Sequence, residues 1–253
     1  MEKELTGKTV LITGGSRGLG AGLAQAFAER GADVAISYAT SSAKAEAVVE
    51  GLKAQGVRAI AIQSDQADLA AAQPLVDKVI AQFGKLDILV NNAGIAVQGQ
   101  TIDASDFNAP GNDHQWQVNV MGVVATTRAA ASKLTDGGRI IFIGSRFGTH
   151  VPVPGVADYA GTKAALIGYA RGAARDLGSR NITANVVQPS VMPTDMADAV
   201  LGNPDAREAI LDLHPIRRTA TVEEVAATAC FLAGPSGGYI TGEVLSVAGG
   251  AGL

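Results

Sequence analysis

The sequence reads Thr13-Gly14-Gly15-Ser16-Arg17-Gly18-Leu19-Gly20 between a short apolar run and the start of a helical pattern. Glycine at positions 14, 18 and 20 lets the backbone turn tightly, approach a pyrophosphate and pack the next helix against a sheet. The first turn of that helix offers unpaired N–H groups and the positive end of its dipole to phosphates. No Gly-Lys-Ser/Thr follows, which disfavours a P-loop. The stretch predicts a dinucleotide-binding turn, with a purely structural turn as the alternative.

On both sides of this turn, short runs rich in Val and Ile alternate with longer helical patterns. Such runs are typical of parallel strands buried on both faces. The alternation predicts one α/β domain over residues 1–253, a Rossmann fold with a doubly wound parallel sheet of about seven strands flanked by helices. The predicted strands are Thr9–Thr13, Asp33–Ser37, Arg58–Gln63, Leu86–Val90, Arg139–Ile143, Thr183–Val187 and Val244–Val247. The predicted helices are Gly20–Arg30, Ser42–Gln55, Leu69–Phe83, His114–Leu134, Tyr159–Leu177 and Val222–Ala233.

The composition excludes several classes of protein. The formal net charge is −4 with both signs interspersed, so the basic stripe of a nucleic-acid-binding protein is missing. No apolar run reaches the roughly 18 residues of a membrane span, and no apolar segment of a signal peptide follows the charged N-terminus. We therefore expect a cytoplasmic location. Cys230, the only cysteine, lies in an apolar run and is expected to be buried.

The end of the second strand indicates which nicotinamide cofactor is preferred. Selectivity for NAD usually requires a carboxylate there, but none occurs before Glu46. Hydroxyl groups and a nearby guanidinium instead suit a 2′-phosphate, and Arg17 is placed to supply the charge. The sequence predicts NADP(H) in preference to NAD(H), with a solvated surface side chain as the alternative for Arg17. Asp65, after the third strand, could accept a hydrogen bond from the adenine amine or be an ordinary turn residue.

A tyrosine and a lysine four residues apart open one of the predicted helices. Tyr159 and Lys163 share a helical face, so the ammonium can lower the pKa of the phenol and make it a usable acid or base. Ser145 follows the fifth strand, where its hydroxyl could hold a substrate carbonyl oxygen. Asn119 could bind a water that links Lys163 to solvent. A turn cap for Ser145 and a local backbone bond for Asn119 are the alternatives.

Taken together, these motifs resemble the short-chain dehydrogenase/reductase family over essentially the whole chain. The matching motifs are TGGSRGLG at 13–20, Asp65, NNAG at 91–94, Asn119, Ser145, YAGTK at 159–163 and VVQPSVMPTDM at 186–196. The resemblance implies a catalytic tetrad of Asn119, Ser145, Tyr159 and Lys163, and carboxamide contacts from Val191 and Thr194. The predicted cofactor-binding residues are Gly14, Ser16, Arg17, Gly18, Leu19, Gly20, Ser37, Tyr38, Thr40, Asp65, Gln66, Asn91, Ala93, Gly94, Tyr159, Lys163, Pro189, Val191 and Thr194. Within the family the chain is most similar to 3-oxoacyl-(acyl-carrier-protein) reductases, which implies a carbonyl reductase and a homotetramer, with a dimer as the alternative.

Three positions depart from the family pattern. Ser190 stands where glycine is usual after the sixth strand, and Ala248 replaces the aspartate of a C-terminal turn. Asp136 lies in the predicted loop 134–138, roughly where carrier-protein reductases have a basic docking residue, so an acidic carrier is disfavoured. The stretch 169–190 also resembles a biofilm-dispersal protein of the family. A nucleotide-binding sensor without essential turnover is therefore the alternative function.

Three segments are predicted to contact the substrate: 95–98, 146–156 and a lid around 190–214. The second contains Val-Pro-Val-Pro at 151–154, so we expect an apolar ketone or a β-keto compound. His150 and His214 could touch the substrate or simply lie on loops. No pair of histidines has the spacing of metal ligands, so we expect no catalytic metal.

Overall fold

Short runs of Val, Ile and Leu form the strands, because only a sheet covered on both faces buries such runs completely. The computed structural model describes residues 3–253. Its strands are β1 (Thr9–Ile12), β2 (Asp33–Tyr38), β3 (Ala59–Gln63), β4 (Leu86–Asn91), β5 (Leu134–Ile143), β6 (Thr183–Pro189) and β7 (Val244–Val247). They form one parallel sheet with the order β3-β2-β1-β4-β5-β6-β7. Every residue of β1, β4 and β6 is buried, and the predicted α/β fold is confirmed.

Helices cover both faces of this sheet. They are α1 (Gly18–Glu29), α2 (Ser42–Lys53), α3 (Ala72–Phe83), α4 (Ala109–Trp116), α5 (Val123–Ala131), α6 (Ala157–Leu177), α7 (Asp198–Leu201), α8 (Pro204–Asp212) and α9 (Val222–Ala233). A π-helical turn at Gln117–Gly122 joins α4 to α5. No helix among residues 3–253 is both long and apolar enough to cross a membrane.

Each face of the sheet has its own hydrophobic core. Successive side chains of a strand point to opposite faces, so Val10 and Ile12 pack with one core while Leu11 packs with the other. The first core includes Leu23 of α1, and the second includes Leu166 of α6. These two layers hold the carboxyl ends of the strands at one edge of the sheet.

The strand order reverses between β1 and β4, which are neighbours although two strands separate them in the chain. At this point the connections leave in opposite directions, and the carboxyl ends of the two strands border a crevice. The turn at 13–20 follows β1, and the NNAG motif at 91–94 begins at the end of β4. The topology therefore brings both predicted nucleotide motifs to one crevice.

Several element boundaries differ from the sequence-based predictions, and the differences are largest at β5 and at the helix that precedes it. Residues 134–138, expected to be a loop, are the first part of β5, where Leu134 pairs with Leu86 across an irregularity that includes Gly137 at φ 75°. The helix predicted over His114–Leu134 begins earlier, at Ala109, and is interrupted by the π turn. Asn108 starts it by accepting a hydrogen bond from the backbone N–H of Gly111. Inside the lid, α7 and α8 were not predicted.

Candidate active site

The glycine turn after β1 has a shape that side chains would prevent. Gly14 and Gly18 have φ of 67° and 52°, in the left-handed region that favours glycine. A Cβ added to Gly20 would lie 2.1 Å from the carbonyl oxygen of Gly14. The turn therefore packs tightly against the first residues of α1. Arg17, the N-cap residue of this helix, makes no side-chain hydrogen bond to its N–H groups. This concave, N–H-rich backbone fits the pyrophosphate of a dinucleotide.

Two residues of the quoted motifs, Thr13 and Asn92, hold the turn, although neither is among the predicted cofactor-binding residues. The Thr13 hydroxyl accepts hydrogen bonds from the N–H groups of Asn92 and Ala93, both at 3.0 Å. The Asn92 amide donates to the carbonyl oxygens of Thr13 and Gly14 at 2.9 and 3.1 Å. Asn91, the residue predicted instead, is buried and donates to the Thr127 hydroxyl at 3.0 Å. The sequence signal that could have identified Asn92 was the NNAG motif, in which Asn92 directly follows Asn91.

At the predicted adenine and ribose end, the residues have unequal roles. Ser37 is 2% exposed, and its hydroxyl accepts from the N–H of Gly14, so it supports the turn. The Tyr38 hydroxyl donates to Ser42, which donates to Glu46 at 2.9 Å. One carboxylate oxygen of Asp65 accepts from the N–H of Ala67, the turn geometry that was its alternative reading.

Arg17 crosses from the glycine turn to the lid. Its guanidinium lies 3.4 Å from the carboxylate of Asp195, and both side chains are more than half exposed. An exposed pair of this kind contributes about 0 to 1 kcal/mol, so the guanidinium can exchange partners easily. Thr194, beside Asp195, lies over the turn, 3.6 Å from where a Cβ of Gly18 would be.

Two of the catalytic candidates, Asn119 and Lys163, meet at Gly94. A Cβ added there would lie 3.2 Å from Oδ1 of Asn119 and 3.4 Å from Nζ of Lys163. Lys163 Nζ also donates to the carbonyl oxygen of Ile143, at the end of β5, at 3.1 Å. Residues far apart in the sequence, on the π turn and on α6, thus converge on the carboxyl ends of β4 and β5.

Both polar ends of the Asn119 amide bind the loop that follows β4. Oδ1 accepts from the N–H of Ile95 and Nδ2 donates to the carbonyl oxygen of Ile95, each at 2.9 Å. Nδ2 also donates to the Thr162 hydroxyl at 3.2 Å. The two bonds to Ile95 are to backbone, as in the alternative interpretation, but they are not local in the sequence. The proposed water relay through Asn119 stays a prediction.

The environment of Tyr159 differs from the expectation. Burial raises the pKa of Tyr159 above its usual value, and a hydrogen bond with Ser145 opposes this effect. The sequence predicts the reverse, a pKa of Tyr159 that the Lys163 ammonium lowers. The direction is opposite because both side chains are buried, and burial disfavours each charged form. The Phe147 ring packs edge-on against Tyr159, with 6.3 Å between centroids.

Lys163 is buried as deeply as Tyr159. Burial lowers the pKa of its ammonium from 10.5 to about 8. Nζ lies 5.9 Å from the centre of the Tyr159 ring. The lysine is therefore close enough to assist the tyrosine, and its charge responds to pH near the physiological range.

Ser190, one of the departures from the family pattern, is tied to the far end of segment 190–214, the predicted lid. Its hydroxyl is hydrogen-bonded to Nε2 of His214, while Nδ1 of His214 bonds the carbonyl oxygen of Ile210 at 2.7 Å. Since a carbonyl oxygen only accepts, Nδ1 carries the proton and Nε2 accepts from Ser190. The carbonyl oxygen of Val191 accepts from the N–H of Ala220 at 3.1 Å, just after β6 ends at Pro189. His214 is buried and holds the lid, whereas His150 is exposed on its loop.

A family model described as enoyl-(acyl carrier protein) reductase matches residues 14–252. The cyclic-di-GMP-binding biofilm dispersal mediator protein of Escherichia coli is 42% identical over 244 residues, covering 96% of this chain and 97% of that protein. The 3-oxoacyl-[acyl-carrier-protein] reductase FabG of Staphylococcus aureus is 40% identical over 245 residues, covering 96% and 97%.

Solved structures are equally similar. A short-chain dehydrogenase from Burkholderia cenocepacia in complex with NADP has a TM-score of 0.92 at 46% identity, covering 99% of this chain and all of that chain. A blue fluorescent protein from a metagenomic library in complex with NADPH has a TM-score of 0.92 at 40% identity. Sequence, topology and site geometry agree: the chain belongs to the short-chain dehydrogenase/reductase family of oxidoreductases.

Proposed function

We propose that this chain is an NADPH-dependent carbonyl reductase that also runs in the direction of alcohol oxidation. The observation that carries the proposal is the cluster in which Asn119 and Lys163 meet at Gly94, while Tyr159 lies 5.9 Å from Lys163 Nζ and is hydrogen-bonded to Ser145, which follows β5. A sensor that only binds nucleotide has no need for this set of proton-handling groups. When bound, the cofactor supplies a hydride from nicotinamide C4 to the carbonyl carbon.

Tyr159 supplies the proton that completes the reduction. As the carbonyl oxygen gains charge, the Ser145 hydroxyl donates a hydrogen bond to it and the Tyr159 hydroxyl transfers its proton, which gives the alcohol. Tyr159 is protonated near neutral pH, the form that reduction needs, but its raised pKa makes it a weaker acid, so the phenolate that forms needs a stabilising partner. Lys163, charged below about pH 8, stabilises the phenolate that forms.

The preference for NADP(H) is supported at the end of β2. Thr40 and Ser42 carry hydroxyl groups there, and Arg17 can leave Asp195 for a 2′-phosphate. Relatives solved with NADP or NADPH support the same choice. Glu46 argues against this preference, because its carboxylate accepts a hydrogen bond from Ser42, which in turn accepts one from Tyr38 at the end of β2.

We propose an apolar ketone or a β-keto compound as substrate, since Val151 and Pro152 to Pro154 follow the Ser145 turn. The structure weakens the argument from Asp136 against a substrate bound to an acidic carrier protein. Asp136 is paired with Arg180, with 2.9 Å between Oδ1 and Nε, so that surface does not present an isolated negative charge. Carrier docking is compatible with this pair but has no positive support from it.

A second candidate, a nucleotide-binding sensor, is favoured by the 42% identity to the biofilm dispersal mediator protein. The two candidates differ in whether turnover is required. A sensor would bind a nucleotide without reducing any carbonyl, and loss of the Tyr159 hydroxyl would leave its binding intact.

The test follows NADPH oxidation over a panel of ketones for the wild type and Tyr159→Phe. We expect kcat/KM to fall about 10²- to 10⁴-fold in the variant while NADPH fluorescence titration gives an unchanged Kd. Phe147→Leu, which trims the packing but keeps the hydroxyl, is the control. No turnover of any ketone by the wild type would favour the sensor, and strong preference for sugars would contradict the apolar pocket.

We further propose that the chain is a homotetramer, with a dimer as the alternative, and is cytoplasmic. The helices α5 and α6 form an open groove of about 390 Å³ lined by small residues such as Gly168 and Gly172. Phe231 and Tyr239 are exposed nearer the C-terminal strand. Light scattering coupled to size-exclusion chromatography measures the assembly.

A further inference from the structure

The loop at residues 94–99, between β4 and α4, borders the carbonyl side of the site and has no regular secondary structure. Side chains, rather than the hydrogen bonds of a sheet or helix, therefore have to pair with the N–H and C=O groups of its backbone. Asn119 holds Ile95 on both sides, as described above. One step further along the loop, the N–H of Val97 donates to Oε1 of Gln115 at 2.6 Å.

Gln115 is an unusual residue for its place, because a side chain with 0% exposure is normally apolar. A buried amide needs partners, and its Nε2 has only a long contact, 3.4 Å to Asn112. Val97 is thus its main partner. Gln115 precedes Asn119 by four residues, so the two side-chain amides lie on the same side of the helical stretch and bind neighbouring positions of the same loop.

The same loop also contacts the segment that is proposed to form a second wall of the substrate pocket. Beyond Val97, the N–H of Gly99 donates to the carbonyl oxygen of Gly155 at 2.8 Å. A Cβ added to Gly155 would lie 2.9 Å from the carbonyl carbon of Gly99, so the two backbones are in close contact. The segment 151–156 is the apolar wall assigned to the substrate.

A second glutamine on the same helical stretch binds in another direction. Gln117 Nε2 donates to the carbonyl oxygen of Ala67 at 3.1 Å. Ala67 follows Asp65 and Gln66, which are assigned to the adenine end of the site. The π turn that begins at Gln117 therefore lies between two loops from opposite ends of the crevice.

We infer that Gln115 is a positioning residue for the carbonyl substrate and that Gln117 positions the adenine loop. One helix thus sets both ends of the site through two glutamines that touch neither ligand. The inference rests on the proposed reductase function and adds a division of roles that the tetrad itself does not contain.

The test separates the two roles with matched variants of similar volume. Gln115→Met removes the acceptor for Val97 and should raise the KM for a ketone about five- to tenfold, with the Kd for NADPH unchanged. Gln117→Met should do the reverse, raising the Kd for NADPH and leaving the ketone KM unchanged. Gln73→Met, an exposed glutamine of α3 bonded to Asp77, should change neither.

Gln115→Glu keeps an acceptor oxygen for the Val97 N–H, and burial favours its neutral carboxylic acid form, which can donate to Asn112. Its KM for the ketone should stay close to that of the wild type, so it tests the tether even if the methionine variant folds poorly. Equal effects of Gln115→Met and Gln117→Met on the ketone KM, or a fall in kcat alone, would overturn the inference. Amide exchange separates this failure from failure of the proposed function. In Gln115→Met the Val97 amide should exchange faster while that of Ile95 stays protected, whether or not any ketone is reduced; an unchanged Val97 amide would refute the tether.

Discussion

At the scale of single residues, burial governs the chemistry of the site. Tyr159 and Lys163 were expected to interact as charge and phenol on a helix face, but both lie inside the protein. Burial raises the pKa of the tyrosine and lowers that of the lysine to about 8. Each residue is thereby shifted toward its neutral form. Burial of the charged Lys163 costs stability near neutral pH, whereas Tyr159 is neutral there in the folded and the unfolded chain alike and adds no such cost.

This cost predicts how Lys163→Met behaves. Between about pH 8 and 10.5 the unfolded chain holds more protons at Lys163 than the folded chain, so wild-type stability rises with pH through this range. The variant lacks the cost of burying the lysine charge, which should raise its free energy of unfolding near neutral pH by about 1 to 3 kcal/mol. The lost hydrogen bond to Ile143 should take back about 1 kcal/mol of this gain. Its advantage should vanish toward about pH 10. Urea unfolding across this range measures the difference.

Lys44→Met, on the exposed face of α2, is the control and should show no such pH dependence. An advantage of Lys163→Met that stays constant with pH would mean that packing, not the buried charge, sets the difference. Ketone reduction should be lost in Lys163→Met throughout.

At the scale of elements, the joint between β1 and α1 determines whether the crevice can hold a dinucleotide. The turn is so close that Gly20 faces the carbonyl oxygen of Gly14, and Asn92 reaches it from the end of β4. Neighbouring strands thus share one hydrogen-bonded turn, which neither strand could build alone.

Gly20→Ala tests this joint. Its Cβ would lie 2.1 Å from Gly14 O and 2.7 Å from the Asn92 amide, so the turn must move. We expect NADPH affinity to fall about ten- to hundredfold in a fluorescence titration. Gly51→Ala in α2, with no atom within 4 Å of the new Cβ, should bind normally and gain about 0.5 to 1 kcal/mol of stability. Normal binding by Gly20→Ala would show that the turn tolerates the displacement.

At the scale of the whole molecule, the proposed assembly would cover the outer faces of α5 and α6. Their groove contains Gly168 and Gly172, with Arg128 and Asp176 on its walls, which suits a close approach of a second copy with paired charges. The smallness of these residues has no explanation within one chain, because nothing lies within 4 Å of a Cβ at either glycine.

Gly172→Arg should therefore fold normally but fail to assemble through this groove. Light scattering should show a smaller species than the wild type, by a factor of about two or more in mass. Gly51→Arg, on exposed α2, should keep the wild-type mass. If Gly172→Arg also kept it, the assembly would have to use another face.

Much of the fold could be predicted from the sequence alone. Local patterns determined it: apolar runs as long as a strand, glycines where the backbone must turn left-handed, and strict alternation of strand and helix. These signals depend on neighbours in the chain, so β7 and α9 were predicted to the residue. The four members of the tetrad were also named from their motifs, although their roles stay proposals.

Contacts between distant segments were decided only by the tertiary structure. Thr13 and Asn92 hold the glycine turn, whereas the Asn91 side chain donates to Thr127 instead. The pKa direction of Tyr159 depends on burial, which is set by every element packed around α6. The sequence determined which groups the protein has and on which elements they lie, whereas only packing decided their partners and their solvation, because both depend on atoms far away in the chain.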